Sequence, residues 1–168
     1  KKQGIPIQIG HAPDIIDGAF LVVRNAAIKD DFPDIARVRE LGIPILERPQ
    51  VLGMIMSEYD CPVCIAGTHG KSTASAMITH AMISAGAEPT AFLGAVLPEI
   101  GGAWTLGEKK YFVAESCEYC DSFLNLCPFT AVILNVEEDH MDYFSSISQI
   151  VASRSEERRV GKECFVPC

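Results

Sequence analysis

The spacing of apolar residues changes period within one stretch of the chain. Val63–Ala66 belongs to a continuous apolar run of the kind that forms a buried strand, and it stops at Gly67. Further on, Ala74, Met77, Ile78, Ala81, Met82 and Ala85 fall at i, i+3, i+4, i+7, i+8 and i+11. That spacing predicts an amphipathic helix with these six residues as its buried stripe. Gly86 stands where a glycine commonly ends a helix. The predicted order is strand, glycine loop, helix.

On either side, short apolar runs alternate with helical spacings. Gly4–Gly10 predicts a short strand, with His11 after it as a surface or capping group. Ala19–Val23 predicts a buried strand that gives way to Arg24 and Asn25. Asp31–Asp34 opens a helix, with Pro33 suited to its first position. Ile35, Val38 and Leu41 make its apolar face, and Gly42 ends it. Ile43–Leu46 reads as a strand. Arg48–Tyr59 reads as a helix with Val51, Leu52, Ile55 and Met56 on one side. Beyond the glycine-loop helix, Thr90–Leu93, Lys109–Ala114 and Ala131–Leu134 read as strands. Leu97–Leu106 reads as a glycine-rich loop and Asp121–Leu126 as a short helix. Alternation of this kind predicts an α/β fold with parallel sheets, and a domain boundary is expected near Ser57–Asp60.

The loop between strand and helix suits a phosphate. Gly67 and Gly70 allow a tight turn that brings backbone N–H groups close to an anion. The helix that follows contributes unpaired N–H groups and the positive end of its dipole. Lys71 would reach the terminal phosphates, and Ser72 would place a hydroxyl on Mg²⁺. The sequence GTHGKS departs from the full phosphate-loop pattern, since Ile65 occupies the place of the first glycine. The alternative is a strand-to-helix turn with a solvated lysine. The flanking strand and helix favour the nucleotide.

Composition narrows the picture. The chain has 168 residues, 48% of them hydrophobic and 21% charged, which predicts packed globular structure. A net charge of −8 argues against a nucleic-acid partner, because neutralising phosphates needs clustered Lys and Arg. No apolar run approaches the roughly 18 residues of a membrane span, and no basic-then-apolar leader follows Lys1, so a cytoplasmic location is expected. Two CxxC pairs, Cys61/Cys64 and Cys117/Cys120, raise the question of zinc. Their separation far exceeds that of common zinc motifs, and reduced thiols acting as small hydrophobes are the expectation.

Two further strands end in polar residues: one at Glu115, the other at Asn135, with His140 shortly after. In a parallel sheet these ends share an edge with the glycine loop. Mg²⁺ takes oxygen ligands, usually one or two carboxylates with phosphate and water, so Glu115 is a candidate metal ligand beside Ser72. Asn25, at the end of an earlier strand, is a candidate substrate contact.

The segments AGTHGKST, AESCEYCDSFLNLCPFTAVILNVEEDHMDYF, AAIKDD and ELGIPILER resemble the Mur ligase family over nearly all of Lys1 to Ser153. AAIKDD and ELGIPILER are similar, more narrowly, to the member that joins L-alanine to UDP-N-acetylmuramate in peptidoglycan synthesis. The resemblance implies an incomplete Rossmann-like, UDP-sugar-binding domain at 1–57 and the first part of a P-loop ATP-binding domain at 58–153. It implies ATP and Mg²⁺ as cofactors, and a substrate carboxylate that attacks the γ-phosphate to give an acyl phosphate, which the amine of L-alanine then displaces. By matching positions, Gly67, Thr68, His69, Gly70, Lys71, Ser72 and Thr73 would bind ATP, with Lys71 and His140 catalytic. Ser72, Glu115 and His140 would hold metal, with Glu118 a rival to Glu115.

The family's first strand would precede Lys1, and its adenine pocket and C-terminal domain would follow the last residues. The chain is therefore expected to be a fragment without ligase activity alone. RSEERRVGKECFVPC, over 154–168, continues no apolar period and is expected to be a non-native tail. Two functional alternatives stand beside the ligase: a non-catalytic nucleotide- or UDP-sugar-binding remnant, and a muropeptide-recycling relative with another acceptor. A nucleotide switch is disfavoured, since no DxxG- or NKxD-like signature is present.

Overall fold

A computed structural model describes residues 4–116, 125–137 and the backbone of 163–165. The chain divides into two compact units, Lys1–Val51 and Leu52–Cys168.

The first unit is built on two short parallel strands, β1 (Val22–Arg24) and β2 (Ile45–Glu47), with helix α1 (Pro33–Glu40) between them in sequence. Pro33 opens α1 with its fixed φ, Asp34 lies in its first turn, and Arg37 and Arg39 lie in its last, so the charges match the helix dipole. Ile35 and Val38 are the buried residues of the helix; Leu41, expected on the same face, is exposed. Gly42 has φ of +66° and turns the chain out of the helix. Two further expectations fail here. Gly4–Gly10 forms no strand and lies exposed. The strand expected over Ala19–Val23 begins only at Val22, and Phe20 is exposed. Among the described residues the sheet of this unit has two strands, too few to cover a continuous apolar run on both faces.

Helix α2 (Arg48–Met56) runs across the division after Val51, and among the described residues the second unit contains a six-stranded sheet in the order β5-β4-β6-β3-β7-β8. Its strands are β3 (Cys61–Ala66), β4 (Thr90–Leu97), β5 (Gly102–Thr105), β6 (Tyr111–Ser116), β7 (Thr130–Ile133) and β8 (Glu163–Phe165). Every neighbouring pair is parallel except β4 with β5. Helix α3 (Lys71–Ser84) follows β3. Period-two alternation sends side chains to opposite faces of the sheet. On one face Cys64, Phe112 and Ala114 pack with Met56, Leu126 and the half-buried Leu52 and Tyr59. On the other, Ile65 and Val113 pack with Ala91, Leu93, Leu97 and the α3 residues Ala74, Ala76, Ile78 and Met82.

Three expectations, two helix faces and one loop, are corrected here. In α3, the buried line runs through Ser75 and Thr79, flanked by Ala74, Ile78 and Met82, while Met77 is 67% exposed and Ala81 and Ala85 face outward. The apolar spacing missed this line because its two central residues are hydroxylic. In α2, Gly53 and Met56 point inward and Ile55 is exposed. Leu97–Leu106 is a hairpin rather than a loop. A 3₁₀ turn at Pro98–Ile100 and Gly101 at φ +65° reverse the chain, and Phe92 lies opposite Trp104. An aromatic cross-strand pair supports the pairing that the two glycines seemed to break.

Cys61 and Cys64 stand three apart on β3 and so point to opposite faces. Cys64 is fully buried, with its Sγ 3.7 Å from the sulfur of Met56. Cys117 and Cys120, most of the helix expected over Asp121–Leu126, and nearly all of the expected 154–168 tail lie outside the described residues. The backbone of Glu163–Phe165, within that tail, pairs with β7.

Candidate functional site

The β3–α3 loop lies at the C-terminal edge of the parallel strands. Gly67 has φ of +146°, and a Cβ there would lie 3.1 Å from the Cβ of Leu134 and 3.3 Å from the backbone N of Asn135. Gly70 is the N-cap of α3 at φ +84°. Having no side chain, it leaves the first N–H groups of the helix without the usual side-chain acceptor, which is the condition for binding an anion there. Thr68, His69, Gly70, Lys71, Ser72 and Thr73 line an open cleft of about 270 Å³ around this end. The Lys71 ammonium donates to the carbonyls of Gly67 (2.5 Å) and Thr68 (3.2 Å), which holds its charge over the loop.

The parallel register sets Ile65 of β3 beside Glu115 of β6. Glu115 shares a sheet face with Val113, two residues earlier, and that is the face α3 covers. Its carboxylate therefore meets the first turns of the helix. The Ser72 hydroxyl donates to Oε2 at 3.0 Å, the Ser75 hydroxyl to Oε1 at 3.0 Å, and the backbone N–H of Gly94 in β4 to Oε1 at 2.5 Å. Ser72 and Glu115, predicted as metal ligands, are thus in direct contact. The pair offers two hard oxygen donors beside a phosphate-sized cleft, and at Gly94 a Cβ would lie 2.6–2.8 Å from three of the oxygens. The donor chemistry fits Mg²⁺, whose remaining ligands would be phosphate and water, and the approach of these oxygens to Gly94 leaves no room for a side chain there.

The loop is also tied to the exit of β7. The Asn135 side chain accepts from the His69 N–H (2.9 Å) and donates to the His69 carbonyl (3.0 Å). The backbone N–H of Glu137 donates to the Thr68 hydroxyl at 2.9 Å, and the Thr68 N–H donates to the Asn135 carbonyl at 3.3 Å. Sequence reasoning marked Asn135 only as a strand end; its side-chain amide is what brackets the loop backbone. Ser75 and Gly94 were missed as well. Ser75 falls three residues after Ser72, one helical turn on, and that spacing was the available signal. Nothing in the local sequence singles out Gly94. Asn25, in the first unit, is exposed and closes a local turn, its Oδ1 accepting the Ala27 N–H at 3.1 Å. His140 and Glu118 lie outside the described residues.

The strand–glycine loop–helix with a lysine and a carboxylate-paired serine defines an α/β protein of the P-loop type. A family model described as the Mur ligase middle domain matches residues 65–156, and one described as the Mur ligase family catalytic domain matches residues 1–60. This chain belongs to the Mur ligase family. It is 47% identical over 150 residues to the UDP-N-acetylmuramate–L-alanine ligase of Acetivibrio thermocellus, which covers 89% of this chain and 32% of that protein. It is 41% identical over 167 residues to the ligase of the same name from Alkaliphilus metalliredigens, covering 99% and 36% respectively. Among solved structures, the UDP-N-acetylmuramate-alanine ligase MurC of Thermotoga maritima superposes with a TM-score of 0.88 at 28% identity, over 97% of this chain and 38% of that one. The UDP-N-acetylmuramate:L-alanyl-gamma-D-glutamyl-meso-diaminopimelate ligase from Neisseria meningitides superposes with a TM-score of 0.79 at 26% identity, over 89% and 52%. The chain spans about a third of the length of the curated relatives it matches. No helix among the described residues is long and apolar enough to cross a membrane.

Proposed function

We propose that this chain forms the phosphate- and metal-binding part of an ATP-dependent ligase that joins L-alanine to the carboxylate of UDP-N-acetylmuramate. The observation that carries the reading is the Ser72–Glu115 contact, 3.0 Å long, beside an uncapped helix N-terminus and the Lys71 ammonium. In this reading the loop and helix N–H groups hold the β- and γ-phosphates. Lys71 leaves its loop carbonyls to neutralise charge that builds on the γ-phosphoryl group as the carboxylate attacks. Ser72 and Glu115 hold Mg²⁺, which when bound screens the phosphate charge. His140 is assigned to a second metal by its place in the family motif alone. Asn25 is retained as a substrate contact in the UDP-sugar-binding unit.

Calorimetric titration with MgATP tests the site. Lys71→Ala is expected to weaken binding, and in the full reading frame that carries this chain to lower turnover by about a hundredfold or more. Near-normal binding and turnover in that variant would remove Lys71 from the mechanism. Phosphate release that requires both UDP-N-acetylmuramate and L-alanine tests the substrates. The likeness to the tripeptide-adding enzyme supports a second reading, in which L-alanyl-gamma-D-glutamyl-meso-diaminopimelate is the amine donor. Release with that tripeptide and none with L-alanine would select it.

A further inference from the structure

We propose that Ser75 and the backbone N–H of Gly94 are positioning groups that anchor one oxygen of Glu115, so that the other is presented to the metal. The inference rests on the nucleotide reading above and adds to it the means by which the carboxylate is aimed.

A glutamate has three rotatable side-chain bonds, and a half-buried one at a strand end is free to turn toward water unless something holds it. Here the two carboxylate oxygens have separate tasks. Oε1 accepts both the Ser75 hydroxyl (3.0 Å) and the Gly94 N–H (2.5 Å), while Oε2 accepts the Ser72 hydroxyl (3.0 Å). With Oε1 held at two points from two different elements, Oε2 has one position, next to the other candidate ligand. The Ser75 hydroxyl carries one proton and has a second acceptor within reach, the Ser72 carbonyl at 3.1 Å. That carbonyl is already engaged in the helix ladder four residues on. A carboxylate is the stronger acceptor, so the proton goes to Glu115. Ser75 is fully buried, so water does not compete for its hydroxyl.

Gly94 acts in two ways. Its N–H is one of the two anchors. Its missing side chain is a second requirement, since a Cβ would sit 2.6 Å from Glu115 Oε2, 2.7 Å from Ser72 Oγ and 2.8 Å from Glu115 Oε1. These separations are shorter than real Cβ contacts, so any side chain at 94 would displace the metal-binding pair.

The experiment is a titration of Mg²⁺ against ATP binding, followed by a fluorescent ATP analogue, with parallel measurements in EDTA and circular dichroism on each variant. Ser75→Ala is expected to raise the Mg²⁺ midpoint about 10- to 100-fold, the range typical of groups that orient metal ligands. Ser75→Thr, which keeps the hydroxyl, is expected to restore it toward wild type. Gly94→Ala lies on an exposed strand position and leaves the core intact; it is expected to raise the midpoint at least as far. Unchanged midpoints in Ser75→Ala and Gly94→Ala, with Mg²⁺-dependent binding intact in the wild type, would overturn the inference and leave the nucleotide reading standing. A loss of equal size in EDTA would assign Ser75 to support of the helix alone and overturn it too. No ATP binding, or none that depends on Mg²⁺, in the folded wild-type chain would overturn the nucleotide reading and this inference with it.

Discussion

The two units are held together by different means. In Lys1–Val51 the buried apolar side chains among the described residues are Ile16, Ile35 and Val38. Around them runs a set of ion pairs: Arg24 with Asp30 (2.6 Å) and Glu47 (2.5 Å), Arg37 with Asp17 (3.0 Å) and Glu40 (3.3 Å), and Arg39 with Asp30 (2.9 Å). The second unit has a central β3 whose Cys64, Ile65 and Ala66 are fully buried, with a packed cluster on each face of the sheet. The candidate site belongs to the second kind of construction. Glu115 and the loop start sit at the ends of strands anchored by dispersion and apolar burial, which charge screening does not weaken. A phosphate site needs backbone N–H groups fixed to a fraction of an ångström, and a close-packed sheet supplies that rigidity.

The largest effect that would test this contrast is a cavity in the second core. Ile65→Ala is expected to cost about 2–5 kcal/mol in urea unfolding, because the site is enclosed and cannot collapse. Val38→Ala in the first unit should cost less, since a smaller side chain is removed from a thinner core. Equal costs would mean the first unit is as well packed as the second. Gly53→Ala sharpens the point. Helix propensity alone predicts a gain of roughly 0.5–1 kcal/mol for Ala over Gly inside α2. A Cβ at 53, however, would lie 1.9 Å from the backbone carbonyl oxygen of Asn125, and backbone yields less readily than a side-chain tip. Overpacking of this sort costs about 1–3 kcal/mol or more, so packing should win and the melting temperature should fall. A rise would show that α2 is loosely seated.

The smallest effect separates the units by acid. The Arg37 guanidinium, through hydrogen bonding, holds the Asp17 carboxyl below its ordinary value of 3.8. Arg24 and then Arg39 do the same for Asp30. For a lowered carboxylate, the stabilisation is fully present above the ordinary value and is lost as pH falls through the lowered one. Acidification below about pH 4 should therefore loosen the first unit, and 1 M salt at neutral pH should act in the same direction by screening. Resonances of Val38 and Ile65 followed by NMR through an acid titration would report each unit. Parallel loss of both would break the comparison.

What could be read in advance follows the same division. Strands and helices with regular apolar period were legible: β3, β6, β7 and α3 lie close to where the spacing puts them, and the glycine loop joins β3 to α3. The facing of α3 was not, because Ser75 and Thr79 occupy its inward line and polarity scales count both as outward. Thr79 carries a buried hydroxyl with no partner among the described residues, so even its burial has no polar signal behind it. The β4–β5 hairpin was hidden by Gly101 and Gly102, which look like breakers until Trp104 is seen opposite Phe92. In the first unit the run Ala19–Val23 looked like a buried strand, yet burial needs neighbours on both faces, and neighbours are not a local property. At the site, Lys71, Ser72 and Glu115 carried recognisable chemistry. Asn135 reaches the loop, and Ser75 and Gly94 reach Glu115, only through the packing of strands and helix.

The close approach of the Ser72 and Glu115 oxygens to Gly94 has a genetic consequence. Every single-base change in a glycine codon that alters the residue either adds a Cβ or stops the chain. Each of these substitutions would set a carbon within 3 Å of the oxygens of Ser72 and Glu115. Neutral drift at this position is therefore expected to be confined to the third base of the codon. A saturation scan read out by growth should show tolerance on the exposed face of α3, at Met77 for example, and an almost blank column at 94.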